Sequence, residues 1–357
     1  RDSLRAVFYD GLPYQGKPTR VFAYLGIPAN TDARHKVPGM VLVHGGGGTA
    51  FPEWVRIWNE RGYAAIAMDL EGHAPGTNQF AGPARVGVFN DAHLPLTNQW
   101  MYHAVADIML AHSLLAAQPG VDAKRIAVTG ISWGGVLSSL VAGVDVRFKF
   151  AAPVYGCGFL YDSAGFFGKS LRQSTGEEFA QRTMWDPARY FTASRMPILW
   201  VNGDQDAHFS VDITSRSHAA MKRNSFLSIH PAMPHSHPPG WQLKSVPEIY
   251  AFADHVLNEG EPLPQITRQP TGTNILVKYR SPRAITNAVV WYADGPIVYQ
   301  QPESMKPAFA WHRLDAALNP KSRTVTATLP ADAKAYYVNI ADERGLVASS
   351  QLVDLRR

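Results

Sequence analysis

Short, uninterrupted apolar runs alternate through the first part of the chain with longer stretches whose apolar positions recur every three or four residues. The short runs are residues 38–43, 63–68, 126–130 and 196–201; residues 148–154 and 225–229, which include Lys149, Ser225 and Ser228, are further strand candidates. Runs of this length with no polar face predict strands buried on both sides, as in a parallel sheet. Between them, residues 52–61, 100–117, 136–141 and 213–224 predict helices, and residues 247–257 predict a closing helix entered through Pro247 and Glu248. Gly62 is placed to end the first helix. Asp212 is expected to cap residues 213–224, with Lys222 and Arg223 in the last turn, where cations suit the helix dipole. Strands alternating with helices predict an α/β fold, a mostly parallel sheet with helices on both faces.

After Gly260 the pattern changes. Glu261-Pro262-Leu263-Pro264 reads as a stiff linker. Beyond it, residues 275–279, 288–292, 324–329, 335–340 and 346–353 are short alternating or β-branched runs, separated by turn signals such as Asp294-Gly295-Pro296. They predict a small antiparallel β-sandwich. The expected organisation is therefore an α/β domain over residues 1–260 and an all-β accessory domain over residues 265–357.

Composition narrows the function classes. At 357 residues, two domains can each bury a core. Lys and Arg number 34 against 29 for Asp and Glu, a formal charge of +5 with no basic block, so no nucleic-acid partner is expected. Cys157 is the sole cysteine, which rules out an intramolecular disulfide. No apolar run is long enough to cross a membrane. The chain opens on Arg1 rather than Met, as after removal of a leader, and a periplasmic or secreted location is expected, with a reducing compartment also compatible with the single cysteine. There is no internal repeat, and nothing in the sequence sets an oligomeric state.

Candidate chemistry collects at the carboxyl ends of the predicted strands, where ligands sit in open α/β sheets. The run 126–130 leads into Gly130-Ile131-Ser132-Trp133-Gly134 and then a helical stretch. A Gly-x-Ser-x-Gly between strand and helix is a sharp turn that exposes a serine hydroxyl as a nucleophile, with flanking glycines because side chains there would collide with neighbouring backbone. The strand at 38–43 ends in His44-Gly45-Gly46-Gly47-Gly48. Bare backbone N–H groups of such a loop suit an oxyanion hole, so Gly46 and Gly47 are the expected donors together with the N–H of Trp133. His44 precedes the serine and is expected to be structural. The strand at 196–201 runs into Asn202-Gly203-Asp204-Gln205-Asp206. Asp206, past the turn glycine, is the preferred orienting acid, and Asp204 is expected to be a turn-former bonded to local backbone. The loop after the last strand holds His230, His235 and His237. His235 and His237 can each serve as general base, His230 falls at the strand end, and the pair without a third ligand motif does not suggest zinc.

The order of glycine loop, Gly130-Ile131-Ser132-Trp133-Gly134-Gly135, Gly203-x-x-Asp206 and Pro234-His235-Ser236-His237 resembles the α/β-hydrolase superfamily. Within it, the chain is most similar to the dienelactone hydrolase and acetyl xylan esterase-like branch, close to prolyl oligopeptidase catalytic domains. The resemblance spans residues 1–260. It implies His235 as the base, because Pro231-Ala232-Met233-Pro234-His235 matches the family's approach to its catalytic histidine. The chain also departs from its relatives. Ser132 stands where dienelactone hydrolases use cysteine. Trp133 stands where glucuronoyl esterases carry arginine. The Arg-Gly-Gln motif of classical acetyl xylan esterases does not precede the elbow, and too little chain precedes His44 for a prolyl oligopeptidase propeller.

Two stretches bear on substrate. Residues 155–195 form an aromatic, glycine-rich, lid-like insertion that offers Tyr155, Phe159 and Trp185, with His237 nearby, as pocket candidates. Residues 72–98 add His73, Phe80, Phe89 and His93 at the same edge. In the β domain, Trp291, Tyr292 and Trp311 can either contact carbohydrate or fill the core. The expectation is a serine esterase with the triad Ser132, His235 and Asp206, needing no metal or organic cofactor. Its expected substrate is an acylated plant cell-wall carbohydrate, which rests on the resemblance. The alternatives are a serine peptidase or amidase, and a glycan-binding protein with an idle hydrolase body.

Overall fold

A computed structural model describes residues 4–29, 31–75, 82–221, 224–297 and 309–356. By contacts the chain forms two compact units, Arg1–Gly158 with Ser170–Ile198, and Phe159–Lys169 with Leu199–Arg357. The expected hand-over at residues 260–265 lies inside the second of these.

The first unit opens with a hairpin, β1 (Leu4–Asp10) and β2 (Arg20–Gly26), paired antiparallel. It continues through β3 (Val37–Val43), α1 (Pro52–Glu60), β4 (Ala64–Met68), α2 (Trp100–Ala116), β5 (Val121–Ile131), α3 (Trp133–Val144) and β6 (Ala151–Val154). The strands lie in the order β1-β2-β4-β3-β5-β6. β3 pairs parallel with both β4 and β5, and β5 with β6. β4 and β6 are buried at every position, as their unbroken apolar sequences require. α1 packs on β2 and β4, α2 on β3, β4 and β5, and α3 on β5 and β6. Gly62 closes α1 as expected, with φ +82° and its N–H on Asn59 O at 2.9 Å. Two short helices follow in the chain, α4 (Phe166–Arg172), which is divided between the two units, and α5 (Gly176–Thr183) in the first.

The second unit takes up β7 (Ile198–Gly203), α6 (Val211–Ala220), β8 (Ser225–His230) and α7 (Pro247–Asn258), with β7 beside β8. α6 starts earlier than expected. Ser210 is its N-cap residue, and Asp212 falls in the first turn, where its charge still faces the positive end of the helix. Lys222 and Arg223 lie outside the described residues, as does Phe80.

The all-β region comprises β9 (Gln265–Arg268), β10 (Asn274–Arg280), β11 (Ile285–Ala293), β12 (Trp311–Asp315), β13 (Ala317–Asn319), β14 (Thr324–Thr328), β15 (Ala335–Asp342), β16 (Val347–Ser349) and β17 (Val353–Asp354). One sheet runs β13-β14-β10-β9, and the other runs β12-β11-β15-β16 with β17 also on β15. Their inward residues share one core, including Val277 and Val325 from the first sheet and Val290, Tyr336 and Val338 from the second. This is the antiparallel sandwich read from alternation. It is tied to β8 by side chains: Ser349 Oγ accepts from Ile229 N–H at 2.7 Å, and Asn339 Nδ2 donates to Ile229 O at 2.9 Å.

Candidate active site

The elbow is built from β5 and α3. Ser132, between Ile131 and Trp133, has φ 57° and ψ −118°, a conformation that costs a non-glycine residue roughly 1–3 kcal/mol and persists only when its surroundings hold it. The holding contacts are its N–H on Val154 O at 3.0 Å and its C=O under Val136 N–H at 3.0 Å. The glycines allow the close approach. A Cβ on Gly134 would fall on Val43 O and lie 2.6 Å from His44 O, and one on Gly130 would fall on Gly134 O. A Cβ on Gly135 would lie 2.9 Å from Gly156 Cα.

The glycine loop sits against the same turn. His44 is buried, with Nδ1 on Gly45 O at 2.6 Å and Nε2 accepting from Leu70 N–H at 2.8 Å. Burial lowers its pKa, with the Asp69 charge opposing. It is a neutral structural brace, as expected. Gly46 has no room for a side chain, because a Cβ would lie 2.8 Å from both Trp133 Cδ1 and Arg85 Nε. Gly47, at φ +69°, donates its N–H to Glu71 Oε1 at 3.1 Å. Arg85 spreads over the Trp133 ring at 5.2 Å, with Nε 3.9 Å from Glu71 Oε1. Phe89 and Trp100 meet the same indole edge-on.

In the second unit the loop after β7 and the loop after β8 supply an acid and a base. Asp206 Oδ2 is 2.6 Å from His235 Nδ1. Its other oxygen accepts from the N–H groups of His208 and Phe209, both at 2.8 Å. The carboxylate is thus fixed by backbone, and in turn fixes the tautomer and plane of the imidazole. Asp206 is 3% exposed, so the carboxylate is shielded from water, while the His235 ring stays partly exposed. The His208 ring lies on His235 at 4.5 Å, and the Phe209 ring is nearly parallel to it at 6.0 Å. His208 is pushed down to about 4, first by burial and then by the charge of His235, so it sits beside the base as a neutral ring.

The other acid and histidines fall elsewhere. Asp204 is not the local turn-former that its position suggested. Its Oδ1 accepts from Ala232 N–H at 2.8 Å and its Oδ2 from the hydroxyl of Tyr337 at 3.0 Å. Burial raises it to about 6, against the opposing effect of these donors. His237 precedes a short turn at Pro238–Gly240, with its ring 6.2 Å from Trp241. His230 pairs with buried Glu248 at 3.2 Å.

Of the pocket candidates, Tyr155 and Trp185 are buried, and Trp185 donates its indole N–H to Gln99 Oε1 at 2.6 Å. Phe159 carries the Arg216 guanidinium 4.0 Å above its ring. In the β region, Trp311 donates to Asp204 O at 2.9 Å, and Tyr292 packs against His312. Sequence reasoning passed over His208, Phe209, Glu71 and Arg85. The first two lie two and three residues past Asp206, within the same loop. Asp206, His208 and His235 have ligand atoms within 4.8 Å of one another, enough for a divalent cation. Such an ion would compete with the Asp206–His235 hydrogen bond.

Residues 51–260 match the sequence profile of the prolyl oligopeptidase family. A probable dipeptidyl-peptidase 5 of Aspergillus terreus is 26% identical over 214 residues, 56% of this chain and 28% of that protein. The chain thus spans less than a third of the length of that curated relative. Among solved structures, the acylaminoacyl peptidase of Pyrococcus horikoshii matches at TM-score 0.58 and 17% identity, over 73% of this chain and 43% of that one. An acetyl xylan esterase from Paenibacillus sp. R4 matches at TM-score 0.57 and 18% identity, over 72% of this chain and 90% of that one. These likenesses establish the α/β-hydrolase fold.

Proposed function

Because the chain belongs to the prolyl oligopeptidase family, within the α/β-hydrolase superfamily of ester and peptide hydrolases, we propose that it is a serine esterase working through an acyl-enzyme. Ser132 is the nucleophile, His235 the base and then the acid, and Asp206 the orienting carboxylate. The observation that carries this is the Asp206–His235 pair at 2.6 Å, its carboxylate anchored by two backbone N–H groups. The strained Ser132 backbone supports the nucleophile.

The chemistry follows from these groups. Ser132 Oγ attacks the acyl carbon as its proton passes to His235 Nε2. The Trp133 N–H and a glycine-loop N–H stabilise the oxyanion. Gly46 is the better-placed loop donor, since it lies against Trp133 while the Gly47 N–H is turned onto Glu71. Collapse releases the alcohol with the proton from His235, and water then attacks the acyl-serine by the same route.

The proposed substrate is an acetylated plant cell-wall polysaccharide or its oligosaccharides, met in the periplasm or outside the cell. Its support is the likeness to an acetyl xylan esterase, matched over 90% of that chain at TM-score 0.57. A peptidase or amidase using the same triad is the second reading, supported by the family profile and the dipeptidyl-peptidase relative. The test is acetate release from acetylated xylan by the wild type and by Ser132→Ala. Release that disappears in the variant is the expected result. Hydrolysis of a small aryl acetate without release from xylan would discard the polysaccharide. Cleavage of short peptides without esterase activity would favour the second reading.

A further inference from the structure

We propose that the C-terminal β-sandwich is a positioning part of the catalytic apparatus, acting through Asp204 to hold the acid loop and the base loop in register. The inference rests on Asp206 and His235 being the acid and base. Asp204 is 1% exposed and joins three segments. It precedes Asp206 in the acid loop. Its Oδ1 accepts from Ala232 N–H in the base loop, just ahead of His235, and its backbone N–H donates to His230 O at 3.3 Å. From the sandwich, Tyr337 on β15 donates its hydroxyl to Oδ2 and Trp311 on β12 donates Nε1 to the Asp204 carbonyl.

Each of these bonds constrains something that catalysis needs. Ala232 has φ 56°, a left-handed backbone unfavourable to alanine, and the bond to Asp204 helps hold it there. The two loops are pressed together, since a Cβ on Gly203 would lie 2.5 Å from Met233 O. Tyr337 is fully buried, with its ring edge-on to Trp311 at 5.1 Å, so its hydroxyl is a donor with little freedom. Ala207, the neighbour of Asp206, packs into a cluster with Ala293 and Ala335 of the sandwich. A buried carboxylate that merely filled space would be a poor solution there, because burying a charge is costly unless several donors compensate. Here the donors come from the parts whose relative position sets the Asp206–His235 geometry. A small misplacement of a reacting group costs up to about a hundredfold in rate.

Tyr337→Phe removes one donor and no volume. Asp204→Asn keeps the shape and removes the buried charge. Each is measured with a small aryl acetate, alongside Asp206→Ala and His235→Ala. We expect kcat to fall about tenfold or more in Tyr337→Phe and Asp204→Asn with KM little changed, the pattern of a misaligned catalytic group. The low-field proton resonance of the Asp206–His235 hydrogen bond should shift while both variants remain folded at the assay temperature. Wild-type kcat and an unmoved resonance in both variants, with the two controls inactive, would overturn the inference alone. Full activity in the controls would overturn the triad assignment and this inference with it. A loss of kcat that only parallels a loss of folded protein in both variants would reduce Asp204 to a structural role and overturn it as well.

Discussion

Asp107→Asn should make the protein more stable at neutral pH, by an amount that grows with pH. Asp107 lies on α2, is 8% exposed, and borders a small cavity with Thr19, Asp69 and His103. Burial, and secondarily the charge of Asp69, raise its carboxyl from an ordinary 3.8 to about 8. At pH 7 the folded chain therefore keeps a proton that the unfolded chain has released. Stability from a group raised in this way is complete below pH 4 and is lost as pH climbs through about 8. At roughly 1.4 kcal/mol per pH unit, the loss by pH 7 reaches about 4 kcal/mol. Asparagine has the shape of the neutral acid and binds no proton in either state, so it escapes the loss. Urea denaturation followed by tryptophan fluorescence at pH 5 and pH 7 gives the comparison. The stability of Asp107→Asn relative to wild type should be greater at pH 7 by about 3 kcal/mol. An equal difference at both pH values would show that Asp107 is ionised in the folded protein and refute the reasoning.

Gly134→Ala should cost at least about 1–3 kcal/mol, because the added methyl meets the backbone carbonyls of Val43 and His44, which cannot turn aside; denaturation and loss of labelling by a serine-directed fluorophosphonate would show it. His235→Ala should lower kcat on an aryl acetate by orders of magnitude, while His237→Ala should stay near wild type, since Asp206 orients only the first; the two rates measured side by side decide between the histidines. Burial alone would lower the pKa of His230, but the Glu248 carboxylate more than reverses this and raises it. A raised histidine lends stability below its unfolded pKa and loses it as pH passes the folded value. Glu248→Gln should therefore lower the melting temperature more at pH 6 than at pH 9.

What the sequence by itself determined is local. The elbow is legible because its residues are contiguous and the crowding at Gly130 comes from Gly134 O in the same turn, although β3 and its loop crowd Gly134 and β6 holds the Ser132 N–H. The parallel strands are legible because burial on both faces leaves no polar position in β4 and only Asn202 in β7. The loop that pairs with His235 could be read from its place after a buried strand, and the sandwich from its alternation. The hairpin of β1 and β2 gave less signal. β1 is half exposed along its length, and an edge strand of that kind carries no continuous apolar run. Tertiary structure alone decided what surrounds the acid and base. Tyr337 and Trp311 reach Asp204 from 133 and 107 residues away in the chain, and no local pattern marks such partners. The same holds for Asp107, whose composition is that of any helical aspartate. Only its enclosure beside Asp69 raises its pKa, because the cost of a buried charge depends on what the fold brings around it.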